Sequence, residues 1–97
     1  MNEAKIRAQL LLPDDLCSFA TVSEFEERLD QRLLAADAGE VTGGGIGSGW
    51  YRFDLVLVDF RRTAALLTRW ADDLGLPEGT CLRRAGSDEV TVIVAAE

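Results

Sequence analysis

Gly39-Glu-Val-Thr-Gly-Gly-Gly-Ile-Gly-Ser-Gly49, running through Trp50 into Tyr51-Arg-Phe-Asp-Leu-Val-Leu-Val58, is the stretch on which the reading of this chain turns. Six of the nine glycines sit in its first part. A glycine turn that cradles phosphate follows a strand and opens a helix, so that the helix N-terminus faces the anion. Here the glycines follow a helical pattern and lead into a strand. No lysine follows them as in GxxxxGK, and the GxGxxG spacing is absent. Their expected work is backbone geometry: a twisted or bulged hairpin arm over 43–51, with positive φ values. Such an arm is expected to be mobile when free and to tolerate shortening, serving recognition more than the fold. Gly43, Gly44, Gly45 and Gly47 are in addition a candidate anion nest of bare backbone amides.

Downstream, Tyr51, Phe53, Leu55 and Leu57 form one apolar face, while the other begins with Arg52 and Asp54 and ends with Val56 and Val58. A strand apolar on both faces at one end is expected in the middle of its sheet. Asp59 then caps a helix over about 60–74, with Phe60, Ala64, Leu67, Trp70, Ala71 and Leu74 as its buried stripe. Gly75 suits a left-handed C-cap, and Pro77 prevents continuation. Thr80 to Arg84 and Glu89 to Ala95 read as two strands joined by the turn 85–88.

Upstream, Ile6, Ala8, Leu10 and Leu12 alternate with Lys5, Arg7 and Gln9, as in a half-buried strand ended by Pro13-Asp14-Asp15. A first helix follows, opened by a Ser23/Glu26 capping box or by Thr21/Glu24 in the competing register. Val22, Phe25, Leu29, Leu33 and Ala36 make its stripe, and Gly39 is its expected C-terminal glycine. A second strand is expected to start at Glu40 to Thr42 and to be loosened by the glycines.

The order is β-α-β-β-α-β with an additional short strand near the end. It predicts an α+β, ferredoxin-like plait in one domain over residues 1–97, with two helices on one face of an antiparallel sheet. The opposite face is left to water or to a partner.

Composition narrows the function. Ninety-seven residues with 47% hydrophobic and 28% charged content suit a folded globule. A net charge of −7 argues against nucleic acid and anionic membranes, and in favour of a basic partner or simple solubility. No signal peptide or membrane-length apolar run is seen, which predicts a cytoplasmic protein with Cys17 and Cys81 reduced. With no histidine and no CxxC, neither a metal site nor a catalytic base is expected; the chain reads as a non-enzyme without cofactor. Asp54 reads as an exposed strand residue, paired with Arg52 or Arg84.

The candidate partner-binding residues are Trp50 and Tyr51, aromatic anchors at the end of the arm, with Arg61 and Arg62. Two cations at a helix N-terminus oppose its dipole and need compensation, from the acidic first helix or from an acidic group on a ligand or partner.

An RNA-binding plait would need RNP aromatics and a basic sheet, and a metallochaperone would need CxxC. Binding modules remain. The runs Gly39-Glu-Val-Thr-Gly-Gly-Gly45, Phe53-Asp-Leu-Val-Leu-Val-Asp59 and Leu74-Gly-Leu-Pro-Glu-Gly-Thr80 resemble small, stand-alone bacterial proteins of the polymorphic-toxin immunity kind. The resemblance spans about residues 39–80 and carries no family site residues. It implies a protein that binds and blocks a toxin domain, and the acidic balance suits a basic nuclease as that toxin. The alternative is a regulatory dimer similar to ACT domains, binding a small metabolite and self-associating through the open sheet face, to which Val56, Val58 and Ile93 would contribute.

Overall fold

The computed structural model describes residues 6–13, 22–47 and 50–95. Five strands and two helices follow in the order β1 (Ile6–Pro13), α1 (Val22–Ala35), β2 (Gly39–Gly47), β3 (Trp50–Leu57), α2 (Phe60–Leu74), β4 (Cys81–Arg84) and β5 (Val90–Val92). All five strands join one antiparallel sheet in the order β2-β3-β1-β4-β5. The fold is therefore α+β. β3 and β1 are central, as the two-faced apolarity of the first predicts.

Alternation along these strands sets the core. Leu10 and Leu12 of β1, Phe53, Leu55 and Leu57 of β3, and Leu82 of β4 are all at most 2% exposed. They pack against Phe25, Leu29 and Leu33 of α1 and Phe60, Leu67 and Leu74 of α2. Phe25 and Phe53 form a tilted ring pair with centroids 5.2 Å apart.

The ends of α2 follow the local rules. Asp59 is extended and its Oδ1 accepts from the Arg62 amide at 3.0 Å. Gly75 closes the helix in the left-handed region at φ 70°, with its N–H on Asp72 O and the Leu76 N–H on Ala71 O. Two points of the expected stripe are corrected. Thr63 is fully buried in it, with its Oγ1 unpartnered among the described residues. Trp70 is only half-buried: it packs against the margin of the core, with the Arg32 guanidinium of α1 5.7 Å over its ring.

The end of α1 departs from expectation. The helix stops at Ala35, and the left-handed position falls on Asp37 at φ 57°, not on Gly39. The Ala38 N–H closes the turn on Leu33 O at 2.9 Å. Gly39 opens β2, and a Cβ there would lie 2.2 Å from Val56 O, so close backbone approach is what demands glycine. At the other end, helix begins at Val22, which puts Ser23 inside the first turn; Thr21, like Asp14, Asp15 and Cys17, lies outside the described residues.

The larger correction concerns the glycines. Residues 43–47 are not a loose arm: they continue β2 in register with β3, Gly43 opposite Asp54, Gly44 opposite Phe53, Gly45 opposite Arg52 and Gly47 opposite Trp50. An irregularity between Val41 and Gly43 leaves Thr42 as the extra residue of a bulge, and its Oγ1 bonds Asp54 O at 3.2 Å. None of Gly43, Gly44 and Gly45 has a positive φ. At Gly44 a Cβ would lie 2.6 Å from Arg52 O, whereas at Gly43 and Gly45 the nearest atoms are side-chain ends at 3.7 and 3.5 Å.

Candidate functional site: the uncovered sheet face

Both helices lie on the side of Leu10, Phe53 and Leu55, so the alternate residues of each strand form a second face that no helix among the described residues covers. Register places these residues in rows. One row runs Asp54, Gln9, Arg83, Val90 across β3, β1, β4 and β5; the next runs Arg52, Leu11, Cys81, Val92. Trp50 opposite Pro13 and Val56 opposite Arg7 close the two ends.

The centre of this face is a polar relay. Arg52 Nε is 3.3 Å from Asp54 Oδ1, Gln9 Nε2 donates to the same oxygen at 3.4 Å, and Arg83 Nη2 donates to Gln9 Oε1. Each partner comes from a different strand or from two positions along one, so the network crosses the three central strands. Asp54 is paired with Arg52, as the sequence suggests, while Arg84 pairs with Glu89 at 3.6 Å. The rim is apolar: Trp50, Val90 and Val92 are 41%, 49% and 59% exposed. Arg7, Gln9, Thr42, Asp54, Val56 and Ala85 surround a hollow of 440 Å³ beside the relay.

Charge is mixed on both sides. On the open face Arg7, Arg52 and Arg83 stand against Asp54 and Glu40, while the helices carry Glu24, Glu26, Glu27, Asp30, Asp72 and Asp73 against Arg28, Arg32, Arg61, Arg62 and Arg69. At Cys81 partial burial pushes the thiol up, against a smaller lowering by the Arg83 charge. This disfavours the thiolate that a nucleophile or metal ligand needs. Among the described residues no group of three or more Cys, Asp or Glu is placed to hold a metal ion, and no helix is long and apolar enough to cross a membrane.

The expected partner-binding residues do not form one patch. Trp50 and Tyr51 are neighbours on β3 and so point to opposite faces. Tyr51, opposite Leu12, packs half-buried against the core, and Trp50 stands on the open face. Arg61 and Arg62 follow the far end of β3, roughly 25 Å away at the rise of a strand. Arg62 Nη2 donates to Ala36 O at 2.9 Å, just past the end of α1. Arg28 of α1 does the reverse, with Nη2 donating to Asp73 O near the end of α2 at 3.0 Å. Each helix thus lends a cation to the other's carbonyl end, which offsets the unfavourable dipole of an arginine at an N-terminus. Arg61 is exposed beside Ile6, Val58, Arg84 and Glu89. Gly43, Gly44 and Gly45 lie in the β2 ladder in extended form, without the positive φ values of an alternating anion nest. Of the apolar residues ascribed to the open face, Ile93 is buried in the core cluster and Val58 lies beyond the end of β3; Val56 remains.

What sequence reading missed is the relay. Gln9, Asp54 and Arg83 are unremarkable singly and far apart in the chain; only the alternation of β1 and β4 hints that they share a face. A scan of protein-family models, a search of curated proteins and a search of solved structures each found no match to this chain.

Proposed function

We propose that this chain is a non-catalytic protein-binding module, built on a ferredoxin-like plait with an added short C-terminal strand, and that it acts as an immunity-type inhibitor that binds and blocks a toxin domain. The plait reading is supported by the strand order: α1 connects β1 to β2 with β3 between them, and α2 connects β3 to β4 with β1 between them. The observation that carries the binding reading is the uncovered sheet face, where exposed Trp50, Val90 and Val92 surround a hydrogen-bonded polar centre. Apolar and aromatic groups set around fixed polar ones are what a protein interface uses for affinity and for register.

The charge distribution refines the toxin. Because arginines outnumber acids on the open face, that face suits a neutral or acidic toxin surface and not the basic groove of a nuclease. Blocking by this face is then steric, and the overall net charge of −7 keeps the chain soluble.

Co-expression with toxin domains encoded beside this chain tests the reading. The expected result is a stoichiometric complex by size-exclusion chromatography and loss of toxin activity, both weakened by Val90→Asp with Val92→Asp. Toxins that stay active and unbound would refute it, and a dimer formed only with a small metabolite would favour the ACT-like alternative.

A further inference from the structure

The strand at the outer edge of the sheet is longer than edge strands usually are, and it is protected over only part of its length. β2 spans nine residues, against three for the opposite edge strand β5. Proteins guard such edges with charge, proline, bulges or a covering element, because unpaired N–H and C=O groups invite another strand. The first part of β2 is guarded. Asp30 of α1 places Oδ1 2.9 Å from the Val41 N–H, occupying an edge donor, and the bulge at Thr42 follows at once. Beyond the bulge the guard stops: among the described residues no side chain caps the edge at Gly43, Gly44 or Gly45.

The same glycines bring charge to this edge. Gly43 and Gly45 share the open face with Asp54 and Arg52, and with no side chains of their own they leave a shelf one strand wide. The charged heads lean over it. An Arg52 Nη2 lies 3.5 Å from where a Gly45 Cβ would stand, and an Asp54 Oδ2 lies 3.7 Å from the Gly43 position. A sixth strand added beside β2 would bring its own side chains alongside both heads.

We infer that the edge of β2 centred on residues 43–45 takes an extended segment of the partner protein by strand addition, with an acidic side chain beside Arg52 and a basic one two residues away beside Asp54. Main-chain bonds supply affinity in such complexes and alternate side chains supply choice; here the pair of opposite charges on one shelf sets the choice. A second copy of this chain fits worse. Its own β2 would set glycine against glycine, without side-chain pairing. The inference rests on the protein-binding reading; Arg52 and Asp54 border both contacts, so protection of the outward-facing edge amide is what separates the two.

Selection of displayed random peptides, each about ten residues long so as to hold a full strand, on the immobilised protein provides the test. The enriched peptides should share an acidic and a basic residue two positions apart. In their complexes hydrogen exchange should slow at Gly44, whose amide faces outward between Gly43 and Gly45. The exposed double substitution Arg52→Ser with Asp54→Ser should leave melting unchanged and weaken binding by about tenfold or more, as loss of complementary charge pairs does. No enrichment, binders without the charge pair, protection confined to other residues, or binding untouched by the double substitution would each overturn the inference. Binders that protect β5 or the relay would leave the protein-binding reading standing while the edge proposal falls.

Discussion

The two faces of the sheet are built from the same strands and obey opposite rules. On the helical face the central positions Leu10, Leu12, Phe53, Leu55, Leu57 and Leu82 are at most 2% exposed, and the side chains are chosen for volume. On the open face the row through Asp54, Gln9 and Arg83 is chosen for pairing, and the apolar residues around it stay exposed. One face accounts for folding. The other is where the proposed partner would sit, against an apolar rim and paired charges.

The sharpest break in that comparison is expected from single large deletions. Phe53→Ala removes a ring packed against Phe25 and should cost about 3–5 kcal/mol, as buried aromatic deletions do. Trp50→Ala, on the open face of the same strand, should cost less than about 1 kcal/mol, given the scale of surface substitutions. Chemical denaturation of the two variants measures both; equal losses would erase the distinction between the faces.

The glycines extend the comparison to a single strand. Gly44 points toward the core side, where a Cβ would meet a backbone oxygen, so Gly44→Ala should cost about 1–3 kcal/mol by overpacking. Gly45 points to the open shelf, where only the end of the Arg52 side chain is near. Gly45→Ala should be neutral or stabilise by up to about 1 kcal/mol through the unfolded chain. Thermal melts of the pair decide it.

Trp70 falls between these cases. It is half-buried and held by the Arg32 cation, so Trp70→Ala should cost about 1–2 kcal/mol, less than a core ring. Smallest of all is the effect at Cys81. Burial holds its thiol protonated, so alkylation at neutral pH should run more slowly than for an exposed cysteine and accelerate as pH rises past the usual thiol range. Because its pKa is raised in the folded state, any stability it contributes is present below the unfolded thiol's pKa and declines above it.

Sequence reading was strongest where local chemistry and tertiary packing agree. Asp59, the apolar stripe, Gly75 and Pro77 all specify α2, and its bounds came out as expected. It was weakest where glycine carried the information. A residue without a side chain reads alike in a mobile loop and in a strand whose backbone must approach another, and only the Arg52 and Val56 carbonyls opposite Gly44 and Gly39 separate the two. The candidate site suffered similarly. Trp50 and Tyr51 are adjacent in sequence, but strand alternation sends them to opposite faces. The Arg62 cation is taken up by a carbonyl at the end of the other helix.

Amide hydrogen exchange along β2 in the free protein tests the central claim, that the glycine stretch is an edge strand held on one side and open on the other. The Val41 amide should be protected by Asp30, and protection should vanish in Asp30→Ala. From Gly43 to Gly45, amides bonded to β3 should exchange slowly and those facing outward quickly. Uniform exchange at free-peptide rates from 43 to 47 would restore the mobile arm and contradict this account.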